Sequence, residues 1–510
     1  MHRAGLLAGV LMPVPRRKQC GISLKTSTAT QRAADGIRLP AAAVRTWNET
    51  MNIQELKRGL RGAAIEIFDP ASRQICDDLV WNGRKPQLRP RYVVRAAEAA
   101  DVARAMAFAA ANGLSVSPRG GGHNFTGIAL KGEVVVDVSA LDHLQIDVRA
   151  GTALVGPGVT NERLAAALAR HGFAFPVGHC ATVPVSGYLL GGGVGWNAGE
   201  WGIACFSVVG VDVVLADGRL VHADDEHHPD ILWAARGAGP EFFGVVTGYK
   251  VRLFEAPKAI LSSVHVYAPG DAAGVGEWAE RAMRHAPANL EFTVKVSAPP
   301  PEANAPEGAF VLAVIATAFA ASEAEARAIL DRLFADAPAT AMERMDAMPT
   351  PFDVLYQLTS VSTPEGKRYA VDTLWSDASF ARILASMVAD YARRPSPHSF
   401  ALVALRSPNA KAPGDAAFSR IGEVFASVYT IWDREADDAA NMSWLRRTMG
   451  AIEPVATGTY VGESDLERAD RPVSIHSPAV VARLAALCRL HDPHGRFRSL
   501  TGPAAARPAA

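Results

Sequence analysis

Two glycine clusters carry the residues of this chain best suited to chemistry. Arg119-Gly120-Gly121-Gly122-His123-Asn124 sets three adjacent glycines against an imidazole, and Gly178-His179-Cys180-Ala181-Thr182-Val183 leads through Gly187 to a second triplet, Gly191-Gly192-Gly193. Adjacent glycines let the backbone turn sharply and bring several N–H groups onto one anion, so a diphosphate is the guest they suit. The first cluster is not a P-loop, because Gly122 to Gly127 is not followed by Lys-Ser or Lys-Thr. Gly193-Val194-Gly195-Trp196-Asn197-Ala198 spells G-x-G-x-x-A, with Asp212 or Asp217 at roughly the distance, about 20 residues, that a dinucleotide fold requires. Such a turn must open a helix, however. Gly199 interrupts the one that follows, and both acids fall on a hairpin, so a nicotinamide dinucleotide is not the expected guest. The five cysteines (Cys20, Cys76, Cys180, Cys205 and Cys488) show no C-x-x-C spacing, so any special thiol acts singly. His222-Ala223-Asp224-Asp225-Glu226-His227-His228 has metal-ligand residue types but lies in a polar loop before a helix near Pro229, and no metal is expected.

Both loops need rigid flanks. From Val93 a β-like stretch leads into a helix over Ala97 to Asn112, with Val102, Ala105, Met106 and Ala109 on one face and Asn112-Gly113 as its stop. The alternation Leu114-Ser115-Val116-Ser117 predicts a short strand that delivers the chain into the first glycine loop, and Glu133 to Val138 predicts a second. Thr160 or Asn161 can cap a helix running through Arg170, and Val211 to Leu215 with Arg219 to His222 flank an Asp217-Gly218 hairpin turn. Past about Glu255 glycine thins out and a second domain begins. Strands are expected at Phe292 to Val296, Phe310 to Thr317, Ser399 to Leu405 and Ala426 to Trp432. Ser322 with Glu325 forms a capping box for a helix to Phe334, and another helix covers Val480 to Leu490. This pattern predicts a sheet with helices on one side.

With 510 residues, 52 Lys plus Arg against 52 Asp plus Glu, and 49% hydrophobic residues, the chain can build a large core and two to four domains or subdomains. Zero formal net charge excludes the basic field of a nucleic-acid binder. The longest near-continuous apolar stretch, Ala309 to Ala321, is short of the roughly 20 residues that span a bilayer. Residues 1–50 hold eight bases and two acids and are set apart as a disordered or targeting extension, Met51 beginning a cleaner sequence. A cytoplasmic location is expected, with targeting by residues 1–50 left open.

The two glycine loops resemble the FAD loops of the vanillyl-alcohol oxidase / p-cresol methylhydroxylase superfamily, and within it those of berberine bridge enzyme-like oxidases. Three further segments align in order: Pro229 to Gly237, Phe243-Gly244-Val245-Val246-Thr247, and His491-Asp492-Pro493 to Phe497. The resemblance implies an α+β fold, with a two-subdomain FAD-binding domain and a substrate domain whose antiparallel sheet is backed by helices. Its boundaries here would be 51–257 for the FAD domain, 258–455 for the substrate domain, and 456–510 for a C-terminal segment that returns to the FAD domain and ends in a disordered tail. FAD would be cradled by Arg119, Gly120, Gly121, Gly122, His123, Asn124, Thr182, Gly187, Gly191, Gly192 and Gly193, with backbone near Val246 closing over it. The resemblance further implies tethers from His123 to the flavin 8α-methyl and from Cys180 to flavin carbon 6. Val183 stands where oxygen access is controlled, which implies an oxidase that reduces O₂ to peroxide. Pro184 and Ser186 depart from the usual glycines of that stretch.

For a base, the resemblance points to the segment Thr457-Gly458-Thr459-Tyr460-Val461-Gly462-Glu463. Tyr460 matches one aromatic of the family pattern, Glu463 replaces the second, Gly462 replaces an asparagine, and Val480-Val481 replaces an Asn-Tyr pair. Tyr460 and Glu463 both remain candidates for the base, and Arg420 is a candidate for polarising the substrate oxygen. The implied activity is hydride removal from a hydroxylated carbohydrate or secondary metabolite, with O₂ as acceptor. Two alternatives stand beside it: a flavin dehydrogenase or oxidative cyclase using another acceptor, and a non-catalytic binding protein on the same scaffold. Peroxide release under air separates the first, and failure of every reductant to bleach bound flavin separates the second.

Overall fold

The computed structural model describes residues 52–300, 303–468 and 471–497; the extension 1–50, Cys20 and the tail after Phe497 lie outside them. Valine-rich strands Tyr92–Arg95 and Val134–Asp137 pair in parallel, Val116–Arg119 adds in parallel to the latter, and Ala63–Glu66 closes the opposite edge antiparallel. Parallel neighbours need a crossover, and helix Ala99–Ala111 supplies it while burying Val102, Ala105, Met106 and Ala109, the expected face. Asp101 in its first turn is fully buried, and its carboxylate accepts the N–H groups of Arg61, Gly62 and Ala97 at 2.9 Å each.

A second sheet is antiparallel, in the order Leu144–Asp147, Thr152–Val155, Gly244–Arg252, Val208–Leu215, Leu220–Asp224. Its last two strands are the expected hairpin. Of the two possible caps, Thr160 caps helix Asn161–Ala169 and Asn161 is its first, fully buried residue.

The third sheet has eight antiparallel strands, in the order Glu343–Pro349, Ala259–Tyr267, Val311–Ala320, Leu290–Ser297, Phe400–Leu405, Val424–Trp432, Arg368–Ser376 and Ala456–Gly458. Period-two alternation sorts its faces. In Leu290–Ser297, Leu290, Phe292, Val294 and Val296 are buried in the core shared with helices Ala272–Met283, Glu323–Phe334, Phe380–Tyr391 and Asp438–Gly450, while Glu291, Thr293 and Lys295 point to the other face. Helix Glu323–Phe334 is capped by Ser322, whose Oγ accepts the Glu325 N–H as the capping box predicts. The fold is α+β. This sheet runs through Gly458, past the expected boundary at 455, because Ala456–Gly458 pairs with Arg368–Ser376.

After that strand the chain crosses back. Helix Pro478–His491 buries Val480, Leu484 and Leu487 in the core of the five-stranded sheet, and His491 stacks on Phe243 at 4.9 Å. The Val116 N–H then donates to the Arg496 carbonyl, placing Phe497 beside the strand that feeds the first glycine loop.

Asn82 joins the two halves. Fully buried, it accepts the Tyr369 N–H and donates to the carbonyls of Tyr369 and Phe125, at 2.8 to 2.9 Å. Asn82→Leu leaves those backbone groups unpaired in the interior, and at about 1–3 kcal/mol for each buried group left without a partner the thermal midpoint should fall measurably. A midpoint unchanged in differential scanning calorimetry would show that water or relaxation replaces the bonds.

Candidate active site

The strand Val116–Arg119 ends at the first glycine loop, and Arg119 organises that loop from behind. Its guanidinium pairs with the buried Asp137 carboxylate at 3.1 Å and donates to the carbonyls of Leu79, Gly120 and Gly121, each at 3.1 Å. With the carbonyls drawn to one side, the N–H groups of Gly120 through Asn124 have no acceptor among the described hydrogen bonds. A run of free amides on a loop with a left-handed residue, Gly122 at φ 68°, is an anion-binding concavity.

The second loop locks against the first at the two positions where this chain departs from glycine. A Cβ on Gly120 would sit 1.7 Å from the Ser186 Oγ, and one on Gly121 would sit 2.4 Å from the Pro184 ring, so the two glycines make room for Ser186 and Pro184. Asn161 ties the loop down: its carboxamide donates to the Val183 carbonyl at 3.0 Å and accepts the Gly178 N–H at 3.1 Å. A Cβ on Gly187, by contrast, would meet nothing within 4 Å and would project into open space at the cavity wall.

These loops wall a cavity of about 320 Å³ that reaches from Phe497 and Lys131 to the inner face of the eight-stranded sheet. His123 and Cys180, one from each loop, approach the same hydroxyl: Thr182 Oγ1 lies 3.4 Å from His123 Nε2 and 3.7 Å from Cys180 Sγ. Desolvation and the neighbouring Arg119 charge hold the His123 imidazole down at about 4, so it is neutral, and hence nucleophilic, near neutral pH. Trp81 stacks on the ring at 5.2 Å and fixes its plane.

Across the cavity, the short turn Val461–Glu463 presents a carboxylate. Ser464 Oγ donates to the Tyr460 carbonyl at 2.6 Å and Thr459 Oγ1 to the Thr373 carbonyl at 2.7 Å, pinning the turn to the sheet edge. Burial raises the Glu463 carboxyl above the usual carboxylate range, opposed in part by the hydroxyl of Tyr429, which donates to it. Burial also raises the Tyr460 phenol, whose oxygen accepts the N–H groups of Val194 and Gly193.

A run of free amides for a diphosphate, a glycine leaving space beside it and two nucleophiles converging on one wall are a donor set that fits FAD. Comparison with known proteins reaches the same cofactor. Residues 90–224 match the FAD binding domain family. The chain is 27% identical over 423 residues to the FAD-linked oxidoreductase nodO of Hypoxylon pulicicidum, covering 82% of this chain and 93% of that protein. It is 37% identical over 191 residues to (R)-6-hydroxynicotine oxidase of Paenarthrobacter nicotinovorans, 37% of this chain and 41% of that one. Among solved structures, 6-hydroxy-D-nicotine oxidase from Arthrobacter nicotinovorans superposes with a TM-score of 0.75 at 25% identity, over 86% of this chain and 97% of the other. Berberine bridge enzyme from Eschscholzia californica has the same fold, with a TM-score of 0.75 at 16% identity over 88% and 98% of the two chains. The chain is an FAD-dependent oxidoreductase with the fold of berberine bridge enzyme.

Within this FAD-linked oxidoreductase the expected site residues divide into three groups. Arg119, Gly120, Gly121, Gly122, His123, Asn124, Cys180, Val183, Gly187, Gly191, Val246, Tyr460 and Glu463 line the cavity. Arg119 is nevertheless turned to backbone carbonyls and Asp137. Thr182, Gly192 and Gly193 are not part of the lining: Thr182 stands between His123 and Cys180, Gly192 packs on Phe418, and Gly193 serves Tyr460 with its N–H. Arg420 is also outside the cavity lining. Its side chain packs against Gly458 and donates to Ser474 Oγ at 3.3 Å, so it is not placed to polarise a substrate oxygen there.

Sequence reasoning missed Trp81, Tyr369 and Tyr429. Trp81 belongs to a segment with no periodicity. Tyr429 was legible in principle, since Phe425, Ser427, Tyr429 and Ile431 alternate onto the sheet face that carries no helices. At the loop 222–228 His222 pairs with Asp212 at 2.8 Å and with Asp224 at 3.5 Å, and Asp224 also meets His227 at 3.0 Å; among the described residues no group of three or more ligands is placed to hold a metal ion. The G-x-G-x-x-A segment opens only the four-residue helix Ala198–Trp201. Among the described residues no helix is long and apolar enough to cross a membrane.

Proposed function

We propose that this FAD-linked oxidoreductase is an oxidase that holds its flavin covalently through His123 and Cys180, uses Glu463 as base and passes electrons to O₂. The observation that carries the reading is the convergence of His123 and Cys180 on Thr182, at the wall of the cavity whose far side carries Glu463. When bound, FAD supplies a two-electron acceptor for the hydrogen that leaves the substrate carbon with its bonding pair. Glu463 takes the proton from the heteroatom on that carbon, so that the carbon–heteroatom double bond forms as the C–H bond breaks. Tyr429 orients the carboxylate and Trp81 keeps the His123 ring in plane. Arg119 holds the loop whose amides meet the diphosphate. The hydroxylated substrate expected from the sequence remains part of the proposal, as do the domain limits 51–257, 258–455 and 456–510, the last adjusted by the strand at Ala456–Gly458. None of the four described cysteines is in a disulfide, which suits a reducing, cytoplasmic setting.

Acid denaturation followed by peptide mapping tests the tethers. Flavin should stay on the peptides containing His123 and Cys180, His123→Ala should leave it on the Cys180 peptide alone, and the double substitution should release it entirely. Yellow colour that washes free of the parent protein would end the covalent reading. A pH profile tests the base. Because Glu463 acts deprotonated and burial raises its pKa, kcat should climb with pH and level off only above the ordinary carboxylate range. A flat profile across that interval would remove Glu463 from the role.

A further inference from the structure

Resting on the placement of the reacting carbon beside Glu463, the polar inventory of the cavity narrows the substrate. We infer that the site selects a largely apolar, ring-bearing molecule with one polar group at the reacting carbon, and that it rejects polyhydroxylated sugars.

A sugar buried here would need partners that both donate to and accept from several hydroxyls, since each unpaired buried polar group is costly. The hydroxyls near the substrate sheet are already committed as donors. Thr359 Oγ1 donates to the Leu355 carbonyl at 3.1 Å, Thr363 Oγ1 to the Thr359 carbonyl at 3.0 Å, and the Tyr369 hydroxyl to the Pro364 carbonyl at 2.6 Å. The Tyr429 hydroxyl donates to Glu463. Lys295, on the same sheet face, is turned aside: its ammonium donates to Ser362 Oγ at 2.7 Å and sits 4.9 Å from the centre of the Phe400 ring. Free polar contact at this end reduces to the Glu463 carboxylate, the Tyr460 O–H and the acceptor lone pairs left on those hydroxyls, so donors for a sugar's several oxygens are lacking.

Aromatic surface fills the rest. Trp81, stacked on His123, leads to Tyr369 at 5.0 Å, Tyr369 to Phe125 at 5.9 Å, and Phe125 meets Tyr429 edge-on at 6.1 Å. The wall therefore runs unbroken from the proposed tether to the tyrosine that holds the base. It offers π faces to a planar ring and, beyond the Tyr460 O–H, no donor for a chain of hydroxyl oxygens.

The test uses the flavin-loaded enzyme and two probe sets: 2-naphthylmethanol and N-methylbenzylamine against glucose, cellotriose and maltotriose. Naphthalene-2-carboxamide, which has no oxidisable carbon, reports binding alone through the flavin absorbance. The aryl probes should perturb the spectrum at concentrations about a hundredfold lower than the sugars, since two hydroxyls left unpaired cost that much. Sugars that bind or bleach the flavin as well as the aryl probes would overturn the inference, and so would a spectrum that neither set perturbs. Aryl binding without anaerobic bleaching would uphold the cavity's selectivity while ending the reading of Glu463 as the base for such substrates.

Discussion

Glu463→Gln should lower kcat by about 10² to 10⁴-fold, the range that a positioned general base contributes, while the purified protein stays fully yellow. The amide is the same size as the carboxylate and can still accept the Tyr429 hydroxyl, so packing is kept and only the proton acceptor is lost. The acid limb of the pH profile should vanish with it, because the limb is the titration of that carboxyl. Tyr460→Phe is the comparison. The Tyr460 oxygen already accepts two backbone N–H groups, and burial holds its proton on well above the usual phenol range. Its removal should disturb the Gly193–Val194 turn more than the chemistry, with loss of stability exceeding loss of rate. A Glu463→Gln enzyme within threefold of the parent in stopped-flow flavin reduction, beside a silent Tyr460→Phe enzyme, would exchange the two assignments.

Gly122→Ala should give a folded protein that carries almost no flavin. Two effects combine at this residue. Its φ of 68° is left-handed, which costs a non-glycine residue roughly 1–2 kcal/mol. The added Cβ would also lie 1.9 Å from the Leu79 carbonyl oxygen, a backbone atom that cannot swing away and that accepts a hydrogen bond from Arg119. Moving Leu79 therefore loosens the arginine that turns the loop carbonyls away from the cavity, and the free amides lose their common direction. A few kcal/mol diverted in this way lowers flavin occupancy about a hundredfold or more, read as visible absorbance per protein after reconstitution. Gly187→Ala separates the causes. Its Cβ strains nothing within 4 Å, so any loss of flavin there comes from filled space alone. Full flavin content in Gly122→Ala would mean that the first loop is not the diphosphate cradle.

Much of this could be read from the sequence, and the reason is local. Helix Ala99–Ala111, the Ser322 cap and the alternation of Leu290–Ser297 are set by neighbours in sequence, where periodicity and capping act. Both glycine loops were legible because three adjacent glycines have few uses. Arg420 was misplaced because nothing in its own segment shows that Gly458, far along the chain, offers it a slot outside the cavity. The sequence puts Arg119 among the ligands of the cofactor, whereas its donors face inward to Asp137 and to carbonyls on two loops, a pairing that only the tertiary arrangement creates. Trp81 and Tyr429 escaped for the same reason: each works by meeting an aromatic ring or a carboxylate from another part of the chain.

The return of the C-terminal segment to the first glycine strand dictates an order of events during synthesis. Phe497 lines the cavity, and Arg496 accepts the Val116 N–H, although Val116 leaves the ribosome some hundreds of residues earlier. The amides that receive the diphosphate can form early, but the compartment around them stays open until residues 478–497 have been made and helix Pro478–His491 has docked. Closure over the flavin therefore waits for those residues, and a chain cut before Pro478 should bind flavin far more weakly than the parent.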